Sequence, residues 1–204
     1  MKQCLDLLGP ERFRKQVSTD KFALWRIVFL IVLQFSAVAR FDCVSRLKVS
    51  DFTFYRTHVV VFIGKSKKDQ QRNGSEVVIA VNPVIAYCPV RFFRIYFQKL
   101  ALFGQFNPFV LPKLGRGSGH FVTGHWPYDS ARSSFKNILY RLGLKTEDYG
   151  LHLLRSGASS DLADAGVNME CLAVAGRWAC LASVRGYVDW SITSRRRVSS
   201  NLYY

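Results

Sequence analysis

Residues 22–39 are almost entirely apolar, with Ile27-Val28-Phe29-Leu30-Ile31-Val32-Leu33 as an unbroken centre. Such a segment either spans a bilayer or is buried in a folded core. A spanning helix needs ~20 predominantly apolar residues. Arg26, Gln34 and Ser36 interrupt this run, which is borderline in length and poor in purity for a span. The segment is therefore read as a core helix over 21–39, with an N-cap offered by Ser18-Thr19-Asp20, and no membrane association is expected.

Around that helix the chain has material for one good core, with 204 residues and 49% hydrophobic content. The expected division is a lead-in segment or domain remnant over 1–20, one domain over 21–190, and a Ser- and Arg-rich tail over 191–204. A second helix is expected from Arg40 through Cys43-Val44-Ser45-Arg46-Leu47. The β-branched, aromatic runs 58–63 and 76–81 read as a pair of strands joined by a polar turn that ends in Asn73-Gly74. Pro89 suits the first turn of a helix on which Val90, Phe93, Phe97 and Leu100 share a face. Residues 104–127, rich in Gly, Pro and aromatics, read as a loop with a short hairpin. Helices are expected over 128–142, 151–165, 169–175 and 180–190. The fold class is α+β, mostly helical with one small antiparallel sheet.

The charge is lopsided: 29 Lys+Arg against 14 Asp+Glu, a net of +15. A surface of that sign is held together best when a polyanion answers it, which points to nucleic acid as the partner. Cys4, Cys43, Cys88, Cys171 and Cys180 are odd in number, contain no C-x-x-C, and are not joined by the four histidines at metal-ligand spacing. Neither a disulfide framework nor a metal site is expected, and a reducing, intracellular compartment fits. The first twenty residues are too polar for a signal peptide. Gly115-Arg116-Gly117-Ser118-Gly119 lacks the Lys-Ser/Thr ending of a phosphate-cradling loop, so no nucleotide site is assigned there.

His152 and Arg155 stand three apart, Gly176-Arg177-Trp178 follows, and Tyr187 lies nine past Trp178, with Arg40 far upstream. Two arginines, a histidine and a tyrosine suit attack on a phosphodiester. Arg40 and Arg155 can clamp the non-bridging oxygens with planar, permanently charged forks, a geometry lysine does not reproduce. A phenol titrates near ~10 and is a poor nucleophile at neutral pH, so it needs an acceptor and a cationic field; His152 is the candidate base.

These residues resemble the catalytic domain of the tyrosine recombinases, the phage-integrase family, over about Lys21 to Trp190. Arg40 followed by Leu47 and Asp51 is similar to the family's first box. Ile63-Gly64-Lys65-Ser66-Lys67 resembles the hairpin that delivers its lysine, His152-Leu153-Leu154-Arg155 its His-x-x-Arg box, and Tyr187 its nucleophile. Ser66-Lys67-Lys68-Asp69-Gln70 and Gly-Arg-Trp look more like recombinases of eukaryotic mobile elements than bacterial chromosome-resolution enzymes. The resemblance implies a catalytic set of Arg40, Lys67, His152, Arg155, Trp178 and Tyr187, with Lys65 and Arg177 as alternates. Lys65, Lys68 and Arg72 are expected to contact DNA phosphates. It implies cleavage through a 3′-phosphotyrosine with a free 5′-hydroxyl, rejoining without metal, ATP or cofactor, and double-stranded DNA as partner. It also implies self-association on DNA in a tetrameric synapse, in the nucleus for a eukaryotic chain and the cytoplasm otherwise. Tyr203 and Tyr204 compete with Tyr187 but lie outside the Gly-Arg-Trp spacing.

Three departures stand out. Arg177 follows Gly176 where His or Trp is usual. Cys43 occupies an acidic position, leaving Asp42 to orient Arg40. Too few residues precede Lys21 for the helical domain that completes the family's DNA clamp, as expected of a fragment, a degenerate element copy or a domesticated derivative. The rival expectations are a catalytically inactive, element-derived DNA-binding module and a type IB topoisomerase-like relaxing activity.

Overall fold

The computed structural model describes residues 19–64, 74–102, 107–115, 120–189 and 191. The apolar run forms helix α1 (Thr19–Ser36), and every residue from Ile27 to Leu33 is at most 3% exposed. A helix apolar on all sides has no face to give to water, so it takes the centre of the core. Helix α3 (Pro89–Leu102) packs along it through stacked aromatics: Trp25 on Phe92 at 5.6 Å and Phe29 on Tyr96 at 3.9 Å between ring centroids. The buried stripe of α3 is wider than its sequence face, adding Phe92 and Tyr96 to Val90, Phe93 and Leu100. Helix α5 (His152–Asp164) also packs on α1. Among the described residues no helix is long and apolar enough to cross a membrane.

The polar interruptions of α1 have partners inside the core. Arg26 donates Nη1 to Pro112 O and lies 3.7 Å over the Trp126 ring. Burial pushes its guanidinium down to about 10, against a partial offset from Tyr96. Gln34, 0% exposed, donates to two backbone carbonyls. The helix stops at Ser36 rather than Ala39, because 37–39 form a Schellman turn: Ala39 N–H donates to Gln34 O and Val38 N–H to Phe35 O. Val38 takes the left-handed position at φ +48°, rare for a β-branched residue. The turn reverses the chain into helix α2 (Phe41–Ser45), shorter than the expected helix, with Arg40 at its N-cap.

Strands β1 (Phe52–Phe54), β2 (His58–Ile63) and β3 (Ser75–Ala80) form an antiparallel sheet in the order β1-β2-β3. Its register runs from His58↔Ala80 to Ile63↔Ser75. Val59, Val61, Ile63 and Ile79 face the core while Phe62 and Val78 face out, the alternation of a half-covered antiparallel sheet. Gly74, at φ +65°, leads into β3 at a point where a Cβ would press on the Phe62 ring. The hairpin expected within 104–127 is β4 (Pro112–Leu114) paired with β5 (Phe121–His125), so among the described residues the α+β fold adds this two-stranded sheet to the three-stranded one.

Helix α4 (Tyr128–Arg141) buries Ala131, Phe135, Ile138 and Leu139. Helix α6 (Met169–Gly176) starts where Asn168 Oδ1 accepts the Cys171 N–H at 2.7 Å. Helix α7 (Leu181–Arg185) is half the expected length. These last two helices pack with α5 around a separate small core of Ala163, Leu172 and Val184.

Candidate active site

Helix α5 sets the geometry. Its spacing puts Arg155 one turn beyond His152, and Arg155 is buried at 3% exposure. Arg155 Nη2 donates to Gly176 O at 2.7 Å, which fixes the fork against the end of α6. Its Cζ lies 4.0 Å from the Trp178 ring and 5.2 Å from the Tyr187 ring, and the two rings are 5.3 Å apart at 57°. Gly176 permits this stack, since a Cβ there would fall inside the Trp178 indole. The same helix holds the tyrosine segment: Ser156 Oγ donates to Tyr187 O at 3.2 Å, and Asp189 N–H donates to Ser160 Oγ at 2.9 Å.

Arg40 joins the cluster from the N-cap of α2. It lines a cavity of about 460 Å³ together with Cys43, Arg155, Arg177, Trp178 and Tyr187. The strand ends Ile63 and Ser75 open onto the same cavity, so the β2–β3 hairpin is rooted at its rim. His152 is exposed and lines a neighbouring cavity of about 610 Å³ that shares Arg40, Arg155 and Tyr187. Gly150 leaves room for its ring, since a Cβ there would lie 2.9 Å from His152 Nδ1. Five of the expected residues, Arg40, His152, Arg155, Trp178 and Tyr187, thus come together. Lys65, Lys67, Lys68, Arg72, Tyr203 and Tyr204 lie outside the described residues.

The cluster is cationic and unanswered. Burial, then the neighbouring Arg40 and Arg177, push the Arg155 guanidinium down to about 10, with Tyr187 and Cys43 partly offsetting them. Arg177 is also lowered, by burial first and by Arg40, against an offset from Cys43. Among the described residues no carboxylate pairs with any of the three arginines. Buried charges are normally paired, and among the described residues these have no counter-charge. Two buried donors at the cavity, Arg155 Nε and Trp178 Nε1, have no hydrogen-bond acceptor. Among the described residues no group of three His, Cys, Asp or Glu side chains is disposed to hold a metal ion.

Two of the expected departures take a different form. Asp42 does not orient Arg40: it is exposed and bonds Arg46 Nη2 at 2.9 Å, one helical turn away. The Arg40 backbone is held instead by Cys43 and Val44 N–H groups donating to its carbonyl. Arg177 sits in the left-handed C-cap of α6 at φ 56° and ψ 48°, with Nη2 donating to Ala37 O and Nη1 to Ala175 O. From the sequence Gln34 reads only as an interruption of the apolar run, and Ser156 and Ser160 carry no expectation. The serine spacing of four on the helix of Arg155 is visible there, but its meaning depends on what packs beside that face.

Comparison with family models and with curated proteins gives no match. Solved structures do match. The XerH site-specific recombinase in a post-cleavage complex with a palindromic difH substrate aligns at TM-score 0.71 and 16% identity, over 100% of this chain and 51% of that one. The XerA recombinase aligns at 0.67 and 12%, over 98% and 61%. The Tn1549 transposon integrase with transposon right end DNA aligns at 0.58 and 14%, over 87% and 59%. The chain therefore spans roughly half to three-fifths of these neighbours' lengths. At such identities the likeness is one of architecture, and it is the same architecture each time: the chain has the fold of the tyrosine recombinase catalytic domain.

Proposed function

We propose that this chain breaks and rejoins DNA strands as a site-specific recombinase or integrase, with 21–190 as its catalytic unit. Tyr187 Oη attacks the phosphorus and forms a 3′-phosphotyrosine. Its proton passes to His152, and the P–O5′ bond breaks. The departing 5′-oxygen takes a proton from Lys67, with Lys65 the alternate, and leaves as a 5′-hydroxyl. The phosphodiester energy is retained in the tyrosyl link, so a 5′-hydroxyl from another strand can reverse the attack. Arg40 and Arg155 hold the non-bridging oxygens, where charge builds in the transition state. Lys65, Lys68 and Arg72 contact flanking phosphates, and copies of the chain assemble on paired sites.

The observation that carries this reading is the pair of orphaned donors. Arg155 Nε and Trp178 Nε1 lack acceptors beside an arginine cluster that no carboxylate pairs among the described residues, and the Tyr187 ring packs against both side chains. A phosphodiester supplies the missing acceptors. Trp178 is favoured over Arg177 as the added donor, because its indole N–H is buried without an acceptor, whereas Arg177 is already engaged by two of its five N–H groups with the Ala37 and Ala175 carbonyls.

The test is a nicked suicide duplex carrying a candidate site, from which the cleaved flank diffuses away. A denaturant-stable protein–DNA adduct that disappears in Tyr187→Phe supports the reading. Its persistence in that variant moves the nucleophile to Tyr203 or Tyr204. Salt-sensitive DNA binding with no adduct identifies an inactive DNA-binding module. An adduct accompanied by plasmid relaxation but no strand exchange identifies a topoisomerase-like activity.

A further inference from the structure

Gln34 is the polar exception near the end of α1, 0% exposed between apolar neighbours. Its Nε2 donates to Ala39 O at 3.2 Å and to Leu151 O at 3.2 Å. Ala39 immediately precedes Arg40, and Leu151 immediately precedes His152, so one carboxamide bridges backbones separated by more than a hundred residues. The amide has two N–H donors, and both acceptors are carbonyl oxygens. Turning the group over would set Oε1 against those carbonyls, so its orientation is determined by what it touches.

Stability alone is a weak reason to have glutamine here. Its Oε1 is buried without a donor, a standing cost that leucine or methionine would not carry. The Schellman turn needs no side chain to close, since its two backbone bonds are already made. What the side chain adds is a fixed distance between two places. Arg177 adds a further strut to the same turn, donating Nη2 to Ala37 O. The 37–39 turn is thereby tied to the start of α5 and to the end of α6.

We propose that Gln34 is a positioning residue for the reaction: it fixes the turn that presents Arg40 relative to the helix start that presents His152. It touches neither DNA nor the reacting atoms and acts through those two residues. This rests on the strand-transfer reading above. The physical expectation is that a displacement on the order of 1 Å between clamp and base lowers the rate about a hundredfold.

The variant is Gln34→Met, of similar length and apolar, with Gln34→Leu as a second in case the first packs badly. Three readouts are taken: melting temperature, DNA affinity, and the single-turnover rate of adduct formation on the suicide duplex, the last also in His152→Ala and Arg40→Ala backgrounds. The expected result is a melting temperature that falls only modestly, because the two carbonyls lose a donor while the unpaired Oε1 is removed, with unchanged affinity and an adduct rate at least tenfold lower that shows little further loss when combined with His152→Ala or with Arg40→Ala. A wild-type rate in both variants overturns the proposal. So does a loss that multiplies fully both with His152→Ala and with Arg40→Ala, because Gln34 would then act through neither residue. If the wild type forms no adduct, it is the strand-transfer reading that has failed. The bridge is then judged by backbone amide resonances: those of Arg40 and His152, whose preceding carbonyls lose a bond, shift together in Gln34→Met if it exists and stay in place if it does not.

Discussion

Arg155 shows how much one residue's role depends on its surroundings. In sequence it is an arginine three past a histidine; in the fold it is 3% exposed, stacked on Trp178 and Tyr187, and beside two further arginines. Its lowered value, about 10, means that the folded state holds this proton less tightly than the unfolded chain does. For a base the sign follows directly: the contribution disfavours folding at neutral pH and is relieved only as pH rises through about 10. An anion in the cavity acts the other way. Inorganic phosphate should therefore raise the melting temperature of the DNA-free protein. Arg40→Met, which removes one of the repelling charges, should raise it without phosphate by on the order of 0.5 kcal/mol, about 1–2 °C, and should shrink the phosphate increment. Calorimetry at neutral pH checks both, and a lower melting temperature in Arg40→Met with no phosphate response would contradict the anion-seeking cluster. The pattern His-x-x-Arg carries the residue types, but nothing in it carries the repulsion.

At the scale of elements, the turn 37–39 and helix α5 do most of the positioning. The turn carries Val38 at φ +48°, where an L-residue costs ~1–2 kcal/mol. Val38 and Val59 are both buried, at 3% and 0%, but Val59 sits in an ordinary strand. Replacing either by glycine loses similar apolar area and gains similar unfolded-state entropy. Only Val38→Gly also removes strain, so it should cost about 1–2 kcal/mol less than Val59→Gly, as denaturant titration of the two variants would show. The elements were mostly legible: α1, the β2–β3 pair and α3 follow from apolar period and β-branching. The stop at Ser36 was not legible, because nothing in Ser36-Ala37-Val38-Ala39 forces a left-handed residue. Asp42 was read as an orienting acid from its place beside Arg40, yet helix periodicity turns it outward to Arg46.

For the molecule as a whole, two cores of unequal size among the described residues divide the site. Arg40 and the β2–β3 pair stand on the large core around α1, whereas Trp178 packs on the small one of Ala163, Leu172 and Val184, and the Tyr187 N–H donates to Val184 O beside it. So few buried contacts leave α6 and α7 weakly held. Native-state hydrogen exchange should find amides of α6 and α7 opening several kcal/mol more easily than those of α1, with DNA binding narrowing the gap; equal protection in the free protein would refute the division. The sequence by itself determined the central helix, the cationic character and the residue types of the site, because these follow from local pattern, net charge and the chemistry of side chains. Only the tertiary structure decided that Arg40, His152, Arg155, Trp178 and Tyr187 share adjoining cavities, that the arginines have no carboxylate partner among the described residues, and that Gln34, Ser156 and Ser160 hold the arrangement. Those are contacts between segments far apart along the chain, and a linear pattern carries spacing along the backbone, not the distances across the fold.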